Sequence, residues 1–481
     1  MTAEAAENSS PCFSSEELAI WTGGIWEPHG VMVRGLTQDG RKPLPGAMYV
    51  AIRGERFDGH NFVAQAAANG AAAAMVCRDW NGFAAIPLLR VDDTRAALIH
   101  AAAGHRRTFS GFVAGVTGSV GKTTTKELTA AFFRAAGSAA ATAGNLNNEI
   151  GLPLSILSAA HDVARAVFEV GTNHVGEIAP LAKLMAPRAV VVTAVAPVHL
   201  EHFGAVDVIA NEKADLLRVV PASGVVALDA DGAFFDYLRR QTLARVASVS
   251  LLRADADYFG IVINEWDGEV EVVERATGKR ARLVSGLRGR HHATNLLLAI
   301  ALARAAGVPW EILGKALEIL GKALENMKLP PMRWQQKTVN GFTIVNDAYN
   351  ASPPSMAGAL RTFAVLPGAS RRVVVLGDML ELGTAEESLH REIGRMAAHG
   401  PWQALVCVGR RAKWIADEAI AAGFSAQQVW RYADAATAAT DTTAWMRPGD
   451  AVLLKASRGM GLERVATALA GEHAGEGDGH G

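Results

Sequence analysis

The sequence predicts an α/β fold divided into about three domains, and three observations predict it. At 481 residues, half of them apolar, the chain exceeds what one hydrophobic core supports and can fill several. Strand-length apolar runs alternate with helical patterns from 107 to 326 and again beyond 370, as mainly parallel sheets covered on both faces require. Between 112 and 135 a strand, a glycine loop and a helix follow one another directly.

Taken in order, residues 18–106 alternate short strands with an Ala-rich helix at 63–74, giving a small N-terminal α/β domain over 1–106. A central domain over 107–328 is read with strands at 113–117, 166–170, 190–193 and 225–228, and a helix at 122–135. Near its end Ile-Leu-Gly-Lys-Ala-Leu-Glu at 312–318 recurs at 319–325. Seven residues are nearly two helical turns, so the repeat predicts a longer helix whose apolar face stays in register. Pro330-Pro331 marks an interdomain linker and hinge. Strands at 373–376, 404–408 and 451–454 build a C-terminal α/β domain over 329–470, and the Gly/His/acid-rich segment 471–481 predicts a disordered tail.

Composition narrows the function classes. A formal net charge of −1 argues against nucleic acid or an anionic membrane as the main partner. Cys12, Cys77 and Cys407 show no metal-ligand spacing and fit a reducing cytoplasm. Residues 1–10 carry acids and no apolar core of a secretory signal, and runs such as 189–195 fall short of the ~20 apolar residues of a membrane span. A cytoplasmic protein without a membrane span is expected.

The glycine loop carries the chemistry. Gly118 and Gly121 free backbone N–H groups to face phosphate oxygens, Ser119 and Val120 complete the loop, and the helix N-terminus adds its positive dipole end. Lys122 is placed to reach β/γ-phosphates, the Thr123 hydroxyl to face Mg²⁺, and Thr124 extends the first turn. A tight turn that binds nothing is the bland competitor. Glu169 ends the strand 166–170, where a carboxylate reaches a metal seated on phosphates, since hard Mg²⁺ favours oxygen. His199 follows the next apolar strand and opens onto the same sheet edge, where ligands of open α/β sheets collect. By itself it reads as a core or capping histidine. Lys213 sits in a helical stretch beside acids, and taken alone reads as an exposed, salt-bridged lysine.

The spacing Gly115-x-x-Gly118-x-x-Gly121-Lys122-Thr123 resembles the loop of the ATP-dependent Mur ligases and folylpolyglutamate synthases. Glu169-x-Gly171-x-Asn173-x-x-Gly176-Glu177-Ile178, the His199 segment and Ala210-x-x-Lys213 follow in the order of the Mur ligases, and the resemblance extends over nearly the whole chain. It implies a three-domain α/β fold: a UDP-substrate-binding N-terminal domain, a central phosphate-loop domain and a Rossmann-like C-terminal domain that binds the amine substrate. It also implies ATP with two Mg²⁺ ions held by Thr123, Glu169, His199 and an N-carboxylated Lys213. Carboxylation needs a neutral amine, hence a lysine pKa well below ~10.4.

By the same resemblance Asp39 and Arg41 touch the uridine nucleotide, with Gly40 where the family has serine, and Asn147 and Asn148 belong to a substrate segment. His291 and Asn295 approach adenine, with His292 replacing an asparagine, and Arg333 follows the prolines, with Met332 replacing a glycine. Asp347 faces ribose or metal, Tyr349 lies near adenine, and Asn350, Lys455 and Arg458 serve the substrates, with Ala456 replacing a glycine. Asp378, in Leu376-Gly-Asp-Met-Leu-Glu-Leu-Gly383, matches a weak third-domain motif. The implied reaction adds D-alanyl-D-alanine to UDP-N-acetylmuramoyl-tripeptide through an acyl phosphate, in a monomer. Two alternatives stand beside it: a related ligase adding the third amino acid, whose Asp-Asn-Pro-Arg text is missing here, and a nucleotide-binding protein without ligase activity.

Overall fold

A computed structural model describes residues 11–42, 44–54, 57–326, 332 and 334–471. Three large sheets follow one another along the chain. In the first, Ile25–Glu27, Leu88–Val91, Ala73–Cys77, Met48–Val50 and Leu36–Thr37 lie side by side in that order, parallel except for the antiparallel edge strand Ile25–Glu27. The helix expected at 63–74 is shorter, Val63–Ala68. Gly70, at φ +91°, leaves the helical region, and Ala73–Cys77 is a buried strand instead. Ala supports a helix, but five successive residues hidden on both faces fit a parallel strand equally well.

The second sheet has nine strands, with Phe112–Thr117 lying between Ala189–Val192 and Arg165–Glu169. All four residues of Ala189–Val192 are buried, as befits a strand covered on both faces. One cover is the helix Arg290–Ala305, where every residue from Leu296 to Ala303 is buried. A helix apolar on all sides belongs inside a core, and each buried Leu or Ile there contributes roughly 1.5–3 kcal/mol. Lys122–Ala135 packs against it. The parallel pattern holds through Tyr258–Asn264, after which Glu269–Glu274 and Lys279–Val284 form an antiparallel meander. Gly268 and Gly278, both at positive φ, make its turns.

Trp310–Asn326 is one helix that contains the duplicated heptapeptide, as the repeat predicts. The linker at Pro330-Pro331 and the tail from 472 onward lie outside the described residues. The third sheet runs Gln335–Val339, Phe342–Asn346, Asp450–Lys455, Arg371–Gly377, Ala404–Val408 and Val429–Tyr432, parallel after its first hairpin. Among the described residues no helix is long and apolar enough to cross a membrane.

Candidate active site

Phe112–Thr117 delivers the chain to the loop at the carboxyl edge of the second sheet, and the helix Lys122–Ala135 begins immediately after it. Thr193, leaving the neighbouring strand, clasps the loop: its Oγ1 donates to Val120 O at 2.6 Å. Ser119 N–H donates to Ala194 O at 2.8 Å, and Ser119 Oγ donates to Ala196 O at 3.0 Å. Both glycines are obligatory. A Cβ on Gly118 (φ +152°) would stand 1.9 Å from Thr193 Oγ1, and one on Gly121 (φ +83°) 2.5 Å from Asn295 Oδ1. Lys122 Nζ folds over the loop and donates to Gly118 O at 2.8 Å, while Thr123 and Thr124 occupy the first helical turn, half-buried.

Glu169 ends the strand beside this loop and is buried. Its Oε1 accepts from Asn147 Nδ2 at 2.8 Å, and its backbone N–H donates to Thr142 Oγ1 at 3.0 Å. Its Oε2 is buried with no hydrogen-bond partner among the described residues. A buried, unsatisfied carboxylate oxygen is costly in protein alone and suits an incoming cation. Lys213 is fully enclosed on the helix Val206–Arg218. Burial lowers its pKa to about 7, nearby Lys122 pushes the same way, and Glu212 opposes both. The exposed, salt-bridged lysine is therefore not what the fold makes, because the residue sits on the helix's inner face. His199 adopts the left-handed region (φ 52°) before the short helix Leu200–Phe203, and its Nδ1 bonds Glu381 of the C-terminal segment.

Among the described residues no three His, Cys, Asp or Glu side chains gather into a metal-holding group. Mg²⁺ usually keeps waters and substrate phosphates beside one or two carboxylates, so the unpartnered Glu169 oxygen next to the loop fits it.

His291 and His292 lie tilted against one another at the start of Arg290–Ala305, ring centroids 4.1 Å apart. Burial holds the His291 pKa down at about 4 and that of His292 well below the usual histidine value. An amide nitrogen can only donate, so Asn295 Nδ2, 3.3 Å from His292 Nδ1, makes His292 an Nε2–H tautomer. The replacement histidine thereby holds the Asn295 carboxamide with its oxygen toward Gly121. Arg333 lies outside the described residues, whereas Met332 is buried and 3.3 Å from Arg458 Nη1.

Asp347 pairs with Lys455 Nζ at 2.7 Å and accepts from Trp334 N–H at 3.0 Å. Lys455 also donates to Asn350 O at 2.8 Å, so Asp347, Asn350 and Lys455 form one knot, with Tyr349 partly exposed beside it. Arg458 pairs with Glu463 at 2.6 Å. Asp378 is buried and its Oδ1 accepts from Arg411 N–H and Ala412 N–H, capping the helix Ala412–Ala421. Ala456 fits because position 377 is glycine: a Cβ there would meet the Ala456 methyl at 2.7 Å.

In the N-terminal segment Asp39 and Arg41 pair at 2.8 Å, and that hydrogen bond lowers the Asp39 pKa. Gly40 is buried, and a Cβ there would come within 3.3 Å of the Tyr49 ring. Asn148 Oδ1 accepts from Gly151 N–H at 2.8 Å at the start of the helix Gly151–Leu157. Sequence reasoning passed over Thr193 and Glu212, and gave Glu381 no role within the 376–383 motif. Glu212 accepts from Gly176 N–H at 2.7 Å and Ile178 N–H at 2.8 Å, tying the Lys213 helix to the segment after Glu169. Its adjacency to Lys213 was the available signal.

A phosphate loop with a buried carboxylate and a buried lysine beside it defines a class of nucleotide-binding enzyme. Comparison with known families narrows it. Residues 116–303 match the Mur ligase middle domain, 332–458 the Mur ligase glutamate ligase domain, and 32–106 the Mur ligase family catalytic domain. The chain belongs to the Mur ligase family. It is 35% identical over 380 residues to UDP-N-acetylmuramoyl-tripeptide–D-alanyl-D-alanine ligase of Escherichia coli (strain K12), covering 78% of this chain and 81% of that protein. It is 31% identical over 452 residues to the Bacillus subtilis (strain 168) ligase of the same name, covering 91% and 93%. Among solved structures it resembles MurF from Acinetobacter baumannii, with a TM-score of 0.83 at 28% identity, covering 96% of this chain and 100% of that one. It also resembles the MurF ligase from Thermotoga maritima in complex with ADP, with a TM-score of 0.72 at 26% identity, covering 92% and 98%.

Proposed function

We propose that this chain is an ATP-dependent ligase that joins D-alanyl-D-alanine to UDP-N-acetylmuramoyl-tripeptide, forming the pentapeptide precursor of peptidoglycan. The observation that carries the reading is the Glu169 carboxylate, buried beside the phosphate loop with one oxygen unpartnered among the described residues. In the first step a carboxylate oxygen of the tripeptide attacks the γ-phosphorus of ATP, the β,γ-bridging P–O bond breaks, and ADP departs. In the second the dipeptide amine attacks the acyl-phosphate carbonyl, loses a proton, and expels inorganic phosphate from the tetrahedral intermediate.

The chain's contribution is position and charge. Lys122 swings from Gly118 O to the β/γ-phosphates, and the loop N–H groups of 118 and 120–124 donate to phosphate oxygens, that of Ser119 being held by Ala194 O. Thr123, Glu169, His199 and the carboxylated Lys213 would hold the Mg²⁺ ions. Bound Mg²⁺ supplies neutralisation of the charge that spreads over the transferring phosphoryl group. A lysine with a pKa of about 7 holds its amine about half neutral at pH 7, and the neutral amine can add CO₂, lose a proton and become an anionic ligand. Asn295, oriented by His292, and His291 face adenine, with Arg333, Asp347 and Tyr349 toward the nucleotide. Asp39, Arg41, Asn147 and Asn148 serve the uridine substrate, and Asn350, Lys455 and Arg458 the dipeptide. Domains at 1–106, 107–328 and 329–470 close over the acyl phosphate to exclude water. The enzyme acts as a monomer in the cytoplasm.

The test is phosphate release from ATP and Mg²⁺ with UDP-N-acetylmuramoyl-tripeptide, with and without D-alanyl-D-alanine. Release that requires both, with the pentapeptide seen by mass, is the expected result. Release instead with a single amino acid and the dipeptide precursor would move the reaction one step earlier. Silence in both would overturn ligation.

A further inference from the structure

The segment 378–383 of the third sheet's domain reaches across to the loop 199–203 beside the phosphate site. Glu381 Oε2 bonds His199 Nδ1, and Glu381 O accepts from Glu201 N–H at 3.2 Å. Both His199 (φ 52°) and Glu381 (φ 63°) hold the left-handed backbone that residues with a Cβ disfavour. Such strain persists only where surroundings over-determine it, and here they do. Met379 N–H donates to His390 Nε2 at 2.9 Å and Leu380 N–H to Ser457 Oγ at 3.0 Å, so the loop presenting Glu381 is anchored in its own domain. Behind the contact, Leu200 and Phe203 share an apolar cluster with Ala385 and Leu389. A Cβ on Gly383 would already lie 3.4 Å from Glu201 Cα.

We propose that Glu381 is a positioning residue for the ligase reaction: the third domain supplies the carboxylate that orients His199, and supplies it only when the domains are closed. A carboxylate can only accept, so His199 carries its proton on Nδ1 and leaves Nε2 as the nitrogen that can meet a cation. The site is then complete only over a docked third domain, which ties phosphoryl transfer to exclusion of water. This inference rests on the ligase reading above.

The test compares wild type with Glu381→Gln and Glu381→Ala by amide hydrogen exchange, small-angle scattering and steady-state kinetics. For Glu381→Ala we expect faster exchange across 199–204, a larger radius of gyration without substrates, and kcat down about 10–100-fold. The Mg²⁺ concentration for half-maximal rate should rise on the same scale while KM for D-alanyl-D-alanine stays put. Glu381→Gln, which keeps an acceptor oxygen, should recover much of the exchange protection. Unchanged exchange and scattering would overturn the proposal. So would lost protection with unchanged kcat and Mg²⁺ dependence, which would leave a docking contact and nothing more. If wild type itself fails to ligate, the ligase reading falls and the positioning role of Glu381 with it, whatever the exchange shows.

Discussion

Gly118→Ala isolates the geometry of the phosphate loop. The added methyl would sit 1.9 Å from Thr193 Oγ1 and 3.1 Å from both Thr193 Cβ and Ala194 N, at a φ of +152°. Thr193 cannot simply rotate away, because its hydroxyl holds Val120 O at 2.6 Å. Losing that bond costs about 1 kcal/mol net, and forcing a Cβ into this backbone region costs about 1–3 kcal/mol more. The sum, roughly 2–4 kcal/mol, falls on the loop and converts to a loss of about 30- to 1,000-fold in ATP affinity. Calorimetric titration with ATP, alongside thermal unfolding, reads both quantities. A Gly118→Ala, Thr193→Ala double variant removes the clashing hydroxyl but lacks the same Thr193–Val120 hydrogen bond and keeps the backbone strain, so it should regain little of the loss. Undiminished ATP binding by Gly118→Ala would refute the claim that Thr193 fixes the loop, and full recovery in the double variant would refute the backbone term.

Lys122→Ala should melt close to wild type and lose at least about 10²–10³-fold in kcat, read as phosphate release; a wild-type rate would remove Lys122 from catalysis. Lys213 has a folded pKa of about 7 against 10.5 for the unconstrained side chain, so the unfolded chain binds one more proton between those values. Its penalty is therefore fully present below pH 7 and fades as pH rises. In CO₂-free urea titrations, wild-type stability relative to Lys213→Met should climb by about 1.4 kcal/mol per pH unit from 7 to 9; a flat difference would place the amine elsewhere. Lys455→Met strips Asp347 of its 2.7 Å partner and should destabilise the chain by about 3–5 kcal/mol in urea. A change near zero there would mark Lys455 as held for a ligand.

Local chemistry explains which parts were legible beforehand. The phosphate loop was readable because strand, glycines, Lys-Thr and helix are contiguous, and the helix Lys122–Ala135 begins and ends where the pattern places it. The strands Ala189–Val192 and Ala404–Val408 were readable because parallel strands buried on both faces are continuously apolar. The turn from helix to strand at Gly70 was not, because alanine suits both sides of it. Nor was the meander of Glu269–Glu274 and Lys279–Val284, whose half-buried strands alternate apolar with charged residues and read as surface. The environment of Lys213 depends on which helix face turns inward, and only the sheet decides that. The partner of Glu381 was invisible for a different reason: the residue stands in the weak third-domain motif of Asp378, but it meets His199 across 182 positions of sequence.

The closeness of Gly377 and Ala456 bears on how kinship in this family is measured. Only one of the two positions can carry a methyl without a shift, because a second would stand 2.7 Å from the first. A relative with the arrangement reversed would score two mismatches while still placing one methyl between these segments, against Val408 O at 3.3 Å. Percentage identity therefore undercounts what such chains share, and aligning them by occupied volume would pair positions that letters set apart.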